Sequence, residues 1–471
     1  MSTAARISLD ALPLVRELHV PVDYSGRLIA ELVTRRLFCP ETADGSGGCA
    51  VAAECFDDGR RWRVQLDGRH HWSDGRPVLA RAVVAGTERS LASRSNGVSL
   101  FLATEAGAGA AVRAVREDVV EFRFRRPVGF APALLSLPAF APYATGIGAD
   151  GAAVSAGDYA VGEWAADRVV LRRQDSATTG PDELRFLHVP TAAEAVARYA
   201  AGELEATSPT GFGVAQIDAL AGHPDLVGKP IDIFGSLDLG RRAPGGWLAS
   251  AALRRTVSGV LERAVLEKHT RGLVLPWRWP GPDALGAGAP EGQVRGADRD
   301  AARRAVSEPL DIAFADFDPN AEVVDAVADM LRRELGVEVR TTRLSFDEYV
   351  RASMRMDFCL LYSLTTPGYP HPAASLSDWR SSGRAASRLG LADPELDTRL
   401  DASEAAPDVA SAPLWERVVD RWCELLPKIP LVRVQAWLLR GSGLRALEVT
   451  TSGLMRFPTA GVDVKENNGV R

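Results

Sequence analysis

Residues 310–362 constrain the fold of this chain more than any other stretch. Leu310 to Ala315 is an apolar run of strand length, and Asp316-Phe317-Asp318-Pro319-Asn320 supplies turn chemistry. Ala321 to Leu335 then carries Val323, Val324, Val327, Met330 and Leu331 on one helical side, with Gly336 placed as its cap. A strand from Val337 to Arg340, a helix from Phe346 to Met356 and a strand from Asp357 to Tyr362 follow. Strands joined through helices at this spacing must lie parallel, because a parallel pair needs a long crossover. Leu184 to Val189, a helix Thr191 to Ala201 with Glu194 completing a capping box, and Gly202 to Glu205 repeat the logic upstream. The chain therefore reads as α/β, with parallel strands in two separate regions.

At 471 residues the chain exceeds what one hydrophobic core supports, so two or three domains are expected. Hydrophobic residues at 46% and charged residues at 25% are the balance of a globular protein. A net charge of -6 gives no reason to expect a nucleic-acid or anionic-membrane partner. There is no HExxH, CxxC, GxSxG or P-loop, so no metal and no cofactor are expected. His70 and His71 are adjacent in a polar turn and read as solvated turn residues, while the odd set of five cysteines reads as free. At the start, Asp10, Arg16 and Glu17 interrupt the apolar run, and no membrane-spanning stretch occurs elsewhere. On that basis the protein is expected to be cytoplasmic, monomeric and not inserted in a membrane.

Three ordered motifs carry a family resemblance. Trp62, Val64 and Leu66 alternate as a strand and lead through Trp72-Ser73-Asp74-Gly75-Arg76-Pro77 into a short helix over Val78 to Thr87. Ser155-Ala156-Gly157-Asp158-Tyr159 precedes a strand over Asp167 to Arg173, and the 310–362 unit is the third motif. This series resembles bacterial extracellular solute-binding proteins of family 5, the oligopeptide, dipeptide and nickel class of ABC-transporter binding proteins. The resemblance implies a two-lobed periplasmic-binding-protein-like fold of the class II, peptide-binding type, with an additional domain. Its implied division is 1–42, 155–245 and 436–471 for domain I, 43–154 for an inserted domain II, and 246–435 for domain III, the second lobe. Elsewhere, a helix over Tyr24 to Leu37 is capped by Ser25, helix-like residues run to Ala114, and one helix after Trp247 carries Leu253, Val257, Val260, Leu261 and Val265.

The resemblance also implies a ligand cleft between the lobes. Where the family places a carboxylate for a peptide's ammonium, this chain has Gly368, and His371 replaces a second acid. A buried ammonium without a carboxylate is costly, so an ordinary peptide is not the expected ligand. Tyr362, Tyr369 and His371 are candidates to line a less charged pocket. Trp277 and Trp279 flank Arg278, offering stacking and an anion partner, and Trp247 and Trp379 are further aromatic candidates. The function expected is capture of a small organic molecule. A cytosolic cyclase, isomerase or dehydratase using His371, Tyr369 and Arg278 is the alternative, and an intracellular ligand sensor is a further one. An ABC permease is a partner only if the protein is exported.

Overall fold

The computed structural model describes residues 3–14, 16, 23–39, 48–93, 101–103, 110–144, 154–174, 178–243, 250–278, 281, 296–306 and 309–458. The chain enters through strand β1 (Ala4–Leu9) and the helix Tyr24–Val33. An inserted unit follows, with β2 (Ala50–Phe56), β3 (Arg61–Leu66), the helix Ala80–Ser93, β4 (Val112–Arg116) and β5 (Val119–Arg123). The chain then returns with β6 (Tyr159–Trp164), β7 (Arg168–Arg173) and β8 (Glu183–His188). A long strand, β9 (Leu226–Leu239), leaves for the second lobe. There the chain forms β10 (Val274–Pro276), β11 (Leu310–Ala315), β12 (Val339–Leu344) and β13 (Leu360–Thr365) before β14 (Ile429–Leu439) comes back.

These strands form a two-lobed α/β fold of the periplasmic-binding-protein type. The first lobe has the sheet β1-β8-β7-β6, the inserted unit has β2-β3-β5-β4, and the second lobe has β10-β14-β9-β13-β11-β12. Among the described residues, β9 and β14 are the strands that run through both lobes. Their paired halves put Val227 and Leu438 against the first-lobe core and Leu237 and Ile429 in the second. The first-lobe core gathers Ile7, Leu9, Leu28, Ile29, Leu171 and Phe186, all fully buried. Burial at about 25 cal/mol per Å² of apolar surface is what orders these alternating strand faces.

Several local expectations are corrected. The first helix begins at Tyr24 as read but ends at Val33 rather than Leu37, and its cap is Asp23, whose carboxylate accepts from the Gly26 N–H at 2.7 Å. Ser25 instead donates to the Ala11 carbonyl. Ala114 lies in a strand rather than a helix, because the Glu117-Asp118 turn folds β4 back on β5 and pairs Ala114 with Val120. The expected single helix through Val265 is broken into Ala251–Val260 and Arg263–His269. The Arg263 guanidinium takes the Ser258 and Leu261 carbonyls at 3.0 and 3.2 Å, oxygens that a continuing helix would need. Among the described residues, no helix is long and apolar enough to cross a membrane.

Candidate functional site, the crevice between the lobes

β11, β12 and β13 run parallel, and their order places β12 and β13 on opposite sides of β11. The chain moves from β11 out to β12, then crosses back over β11 to reach β13. Neighbouring connections therefore diverge between β11 and β13, opening a crevice outside their carboxyl ends. That is where ligands of open parallel sheets bind. The loops at this point are 316–319 and 366–371. In the first lobe, β1 and β8 are also parallel, and Asp10 follows directly after β1. The two sets of strand ends face one another across the segment 211–213. Gly211, at φ +96°, stands beside Asp10, while a Cβ on Gly213 would come 2.5 Å from Asp318 Oδ2. Phe317 and Phe346, at the ends of β11 and β12, are 46% and 63% exposed, so the second lobe presents bare aromatic surface here.

Between the lobes, β9 and β14 carry an aromatic and charged stack. Phe234 and Trp277 stack with centroids 5.4 Å apart, and the Arg433 guanidinium lies 5.3 Å from the Trp277 ring. Arg433 is held by Asp232 at 2.8 Å and by the Ile231 carbonyl at 3.1 Å. Beneath this stack Arg263 is 2% exposed. It donates to the Trp277 carbonyl at 3.1 Å and to the Pro430 carbonyl at 2.7 and 3.0 Å. Burial, with the nearby Arg278 charge, pushes the Arg263 pKa down to about 9, and its carbonyl partners still hold it as a cation at neutral pH. Trp277 is thus fixed by its backbone from below and by ring contacts on its faces.

The other sequence candidates are dispersed. Trp247 and Trp279 lie outside the described residues. Arg278 stands at the hinge beside Arg263. Tyr362 is 2% exposed and faces the second-lobe core against Gly235, where a Cβ would meet its Oη at 2.6 Å. Tyr369, His371 and Trp379 are buried in or behind the seam where the inserted unit meets the second lobe. Phe130 of the inserted unit stacks on His371 at 4.2 Å and lies 6.1 Å from Tyr369. Trp415 meets the Phe130 and His371 rings edge-on, and Trp379 packs against Trp422. His371 Nδ1 accepts from the Ala373 N–H. Its Nε2 faces Asp408 at 3.4 Å, and this hydrogen bond holds the Asp408 carboxyl below its usual range. Burial, reinforced by Glu404, pushes the Tyr369 hydroxyl well above its ordinary pKa.

Sequence reasoning did not find Glu404, the polar centre of that seam. It is 1% exposed and binds Arg126 of the inserted unit at 2.6 Å. From the second lobe it also holds Arg380 at 3.1 Å and Ser377 at 2.6 Å. Beside it the Gly129 N–H donates to the Glu404 carbonyl at 2.6 Å, and a Cβ at Gly129 would lie 1.8 Å from the Ala406 oxygen. Only glycine permits this approach. Gly368 sits nearby, against Leu137.

Residues 47–276 match the family model described as bacterial extracellular solute-binding proteins, family 5 Middle. Among solved structures, the chain resembles the murein tripeptide binding protein MppA of Escherichia coli at 16% identity and TM-score 0.76, covering 97% of this chain and 98% of that one. It resembles Haemophilus influenzae OppA in complex with RPPGFSPFR at 16% identity and TM-score 0.76, with 97% and 99% covered. AgaA from A. tumefaciens R10, in complex with agropinic acid, matches at 15% identity and TM-score 0.74, with 96% and 95% covered. No curated protein sequence matches the chain. The family match overturns the expectation of a cytoplasmic protein and points to an extracytoplasmic location. The residues just ahead of Asp10 form the strand Ala4–Leu9 of the first-lobe sheet, so their pattern reflects the fold.

Proposed function

We propose that the chain, whose residues 47–276 match the model of the bacterial extracellular solute-binding proteins of family 5, is a member of that family and captures a small organic ligand, other than an ordinary peptide, between its lobes. The observation that carries this reading is the crevice itself. Strand carboxyl ends from both lobes meet at 211–213 and 316–319, and Phe234, with Trp277 and Arg433 against it, is in register with Thr365 at the carboxyl end of β13. Two shared strands and a stack that spans them suit a hinge, around which lobes close and exclude water. Phe234 and Trp277 give the hinge side an aromatic surface on which a planar part of an organic ligand can stack. The chain division expected from the family belongs to this proposal, with 43–154 inserted and 246–435 as the second lobe.

Gly368 supports the finer reading. It provides no side chain where the family resemblance expects a carboxylate for an ammonium. The solved relative in complex with agropinic acid shows the fold with a ligand other than a peptide. The test is calorimetric titration with matched tripeptides, one with a free amino terminus and one acetylated. Neither is expected to bind tightly, and acetylation is expected to change affinity by less than about threefold, under 1 kcal/mol. Tight binding of the free tripeptide that acetylation abolishes would refute the reading.

A further inference from the structure

The Trp72-Ser73-Asp74-Gly75-Arg76-Pro77 motif is not used by the crevice. It builds a separate concavity of about 190 Å³ on the inserted unit, between Trp72, Leu79, Ala82 and Tyr143. Its shape is fixed locally. Gly75 takes φ +82°, Trp72 exchanges backbone bonds with the turn, and Arg76 is clamped to Asp74 at 2.6 Å. The Tyr143 N–H donates to the Ala82 carbonyl at 2.9 Å, pinning the opposite wall to the helix Ala80–Ser93.

Charge and size together select an occupant. Arg76 and Arg81 line the concavity, and the Arg89 guanidinium lies 4.8 Å from the Tyr143 ring. Asp74 and Arg76 neutralise each other, which leaves Arg81 as the net charge of the lining, and Glu88, two turns beyond Arg81 on the helix, is outside it. The Arg81 guanidinium has no ion-pair partner among the described residues. The volume is below the roughly 300–1,000 Å³ of small-molecule sites and suits a single side chain, as at a protein–protein anchor. We propose that this concavity docks an acidic segment of a partner protein, seating one apolar or aromatic side chain between Trp72 and Tyr143. Flanking carboxylates would pair with Arg81 and the outer face of Arg76.

Fluorescence anisotropy tests this with a labelled, acetylated and amidated pentapeptide, Asp-Glu-Phe-Glu-Asp, and two analogues, one with Gly for Phe and one with Lys for each acid. The acidic Phe peptide is expected to bind the full chain and to weaken with added salt. Binding is expected to fall at least about tenfold in Arg81→Glu, in Ala85→Phe and with the Gly analogue. Arg81 is exposed and Ala85→Phe fills the concavity without removing charge, so these variants test the site by different routes. Binding that persists in both variants belongs to the interlobe crevice and overturns the proposal. So does equal binding of the Lys analogue, or no binding up to about 1 mM.

Discussion

Glu404→Ala is expected to cost about 3–5 kcal/mol of unfolding free energy, the largest single effect in the seam. The carboxylate is 1% exposed and has a guanidinium from each side, with Ser377 as a further donor. Forming such a pair already costs desolvation, so the expected loss is not the worth of the attraction. It is the cost of stripping the buried carboxylate from two guanidiniums at once, with Arg380, its side chain only 11% exposed, left with the exposed Asp401 at 2.7 Å as its remaining ion pair. Arg126→Ala is expected to cost less, because Arg126 is 25% exposed and Arg380 and Ser377 continue to hold Glu404. Urea denaturation measures both. Hydrogen exchange should place the loss at 126–130 and 369–406. A Glu404→Ala cost below about 1 kcal/mol would mean that the pair behaves as a surface salt bridge and holds nothing together.

Arg263→Met is expected to lower stability by about 3 kcal/mol or more, from several buried carbonyls left without donors at about 1–3 kcal/mol each. Pro430, Trp277 and Leu261 lose that partner at once, and methionine fills the volume but supplies no N–H. Arg263→Lys keeps the charge, yet one ammonium cannot span carbonyls from the helix break, β10 and β14, so only part of the stability returns. The consequence reaches the crevice, because the Trp277 backbone is held by this guanidinium while its ring lies against Phe234 and Arg433. Thermal and urea unfolding check the direction. Stability in Arg263→Met equal to wild type would show that water replaces the guanidinium and that the anchoring account is wrong.

What the sequence made legible follows from separation along the chain. The unit over 310–362 is local: each strand, cap and helical stripe reports itself within a few residues, and Gly336 does adopt the left-handed cap at φ +67°. The break at Leu261 was hidden because its cause is a side chain that reaches back to carbonyls inside an apolar helical pattern. Arg126 and Glu404 are 278 residues apart, and no periodicity marks either of them. Gly129 resembled any loop glycine, although it meets the Ala406 backbone directly. Tyr362 lies in a strand buried on both faces, with Leu360 at 0% and Leu361 at 1% exposed, so no alternation along the sequence marked it as core. Aromatic content drew attention to Trp277 but not to Phe317 and Phe346, since exposure at a strand end depends on which strands turn out to be parallel.

The most direct measurement of capture between the lobes is native mass spectrometry of the chain purified from the cells that make it. The account predicts one non-covalent small-molecule adduct per chain, lost on denaturation and much reduced in Trp277→Ala and Phe317→Ala. An unadorned mass that stays unadorned after incubation with small-molecule extract from those cells would contradict it. So would an adduct retained in full by both variants.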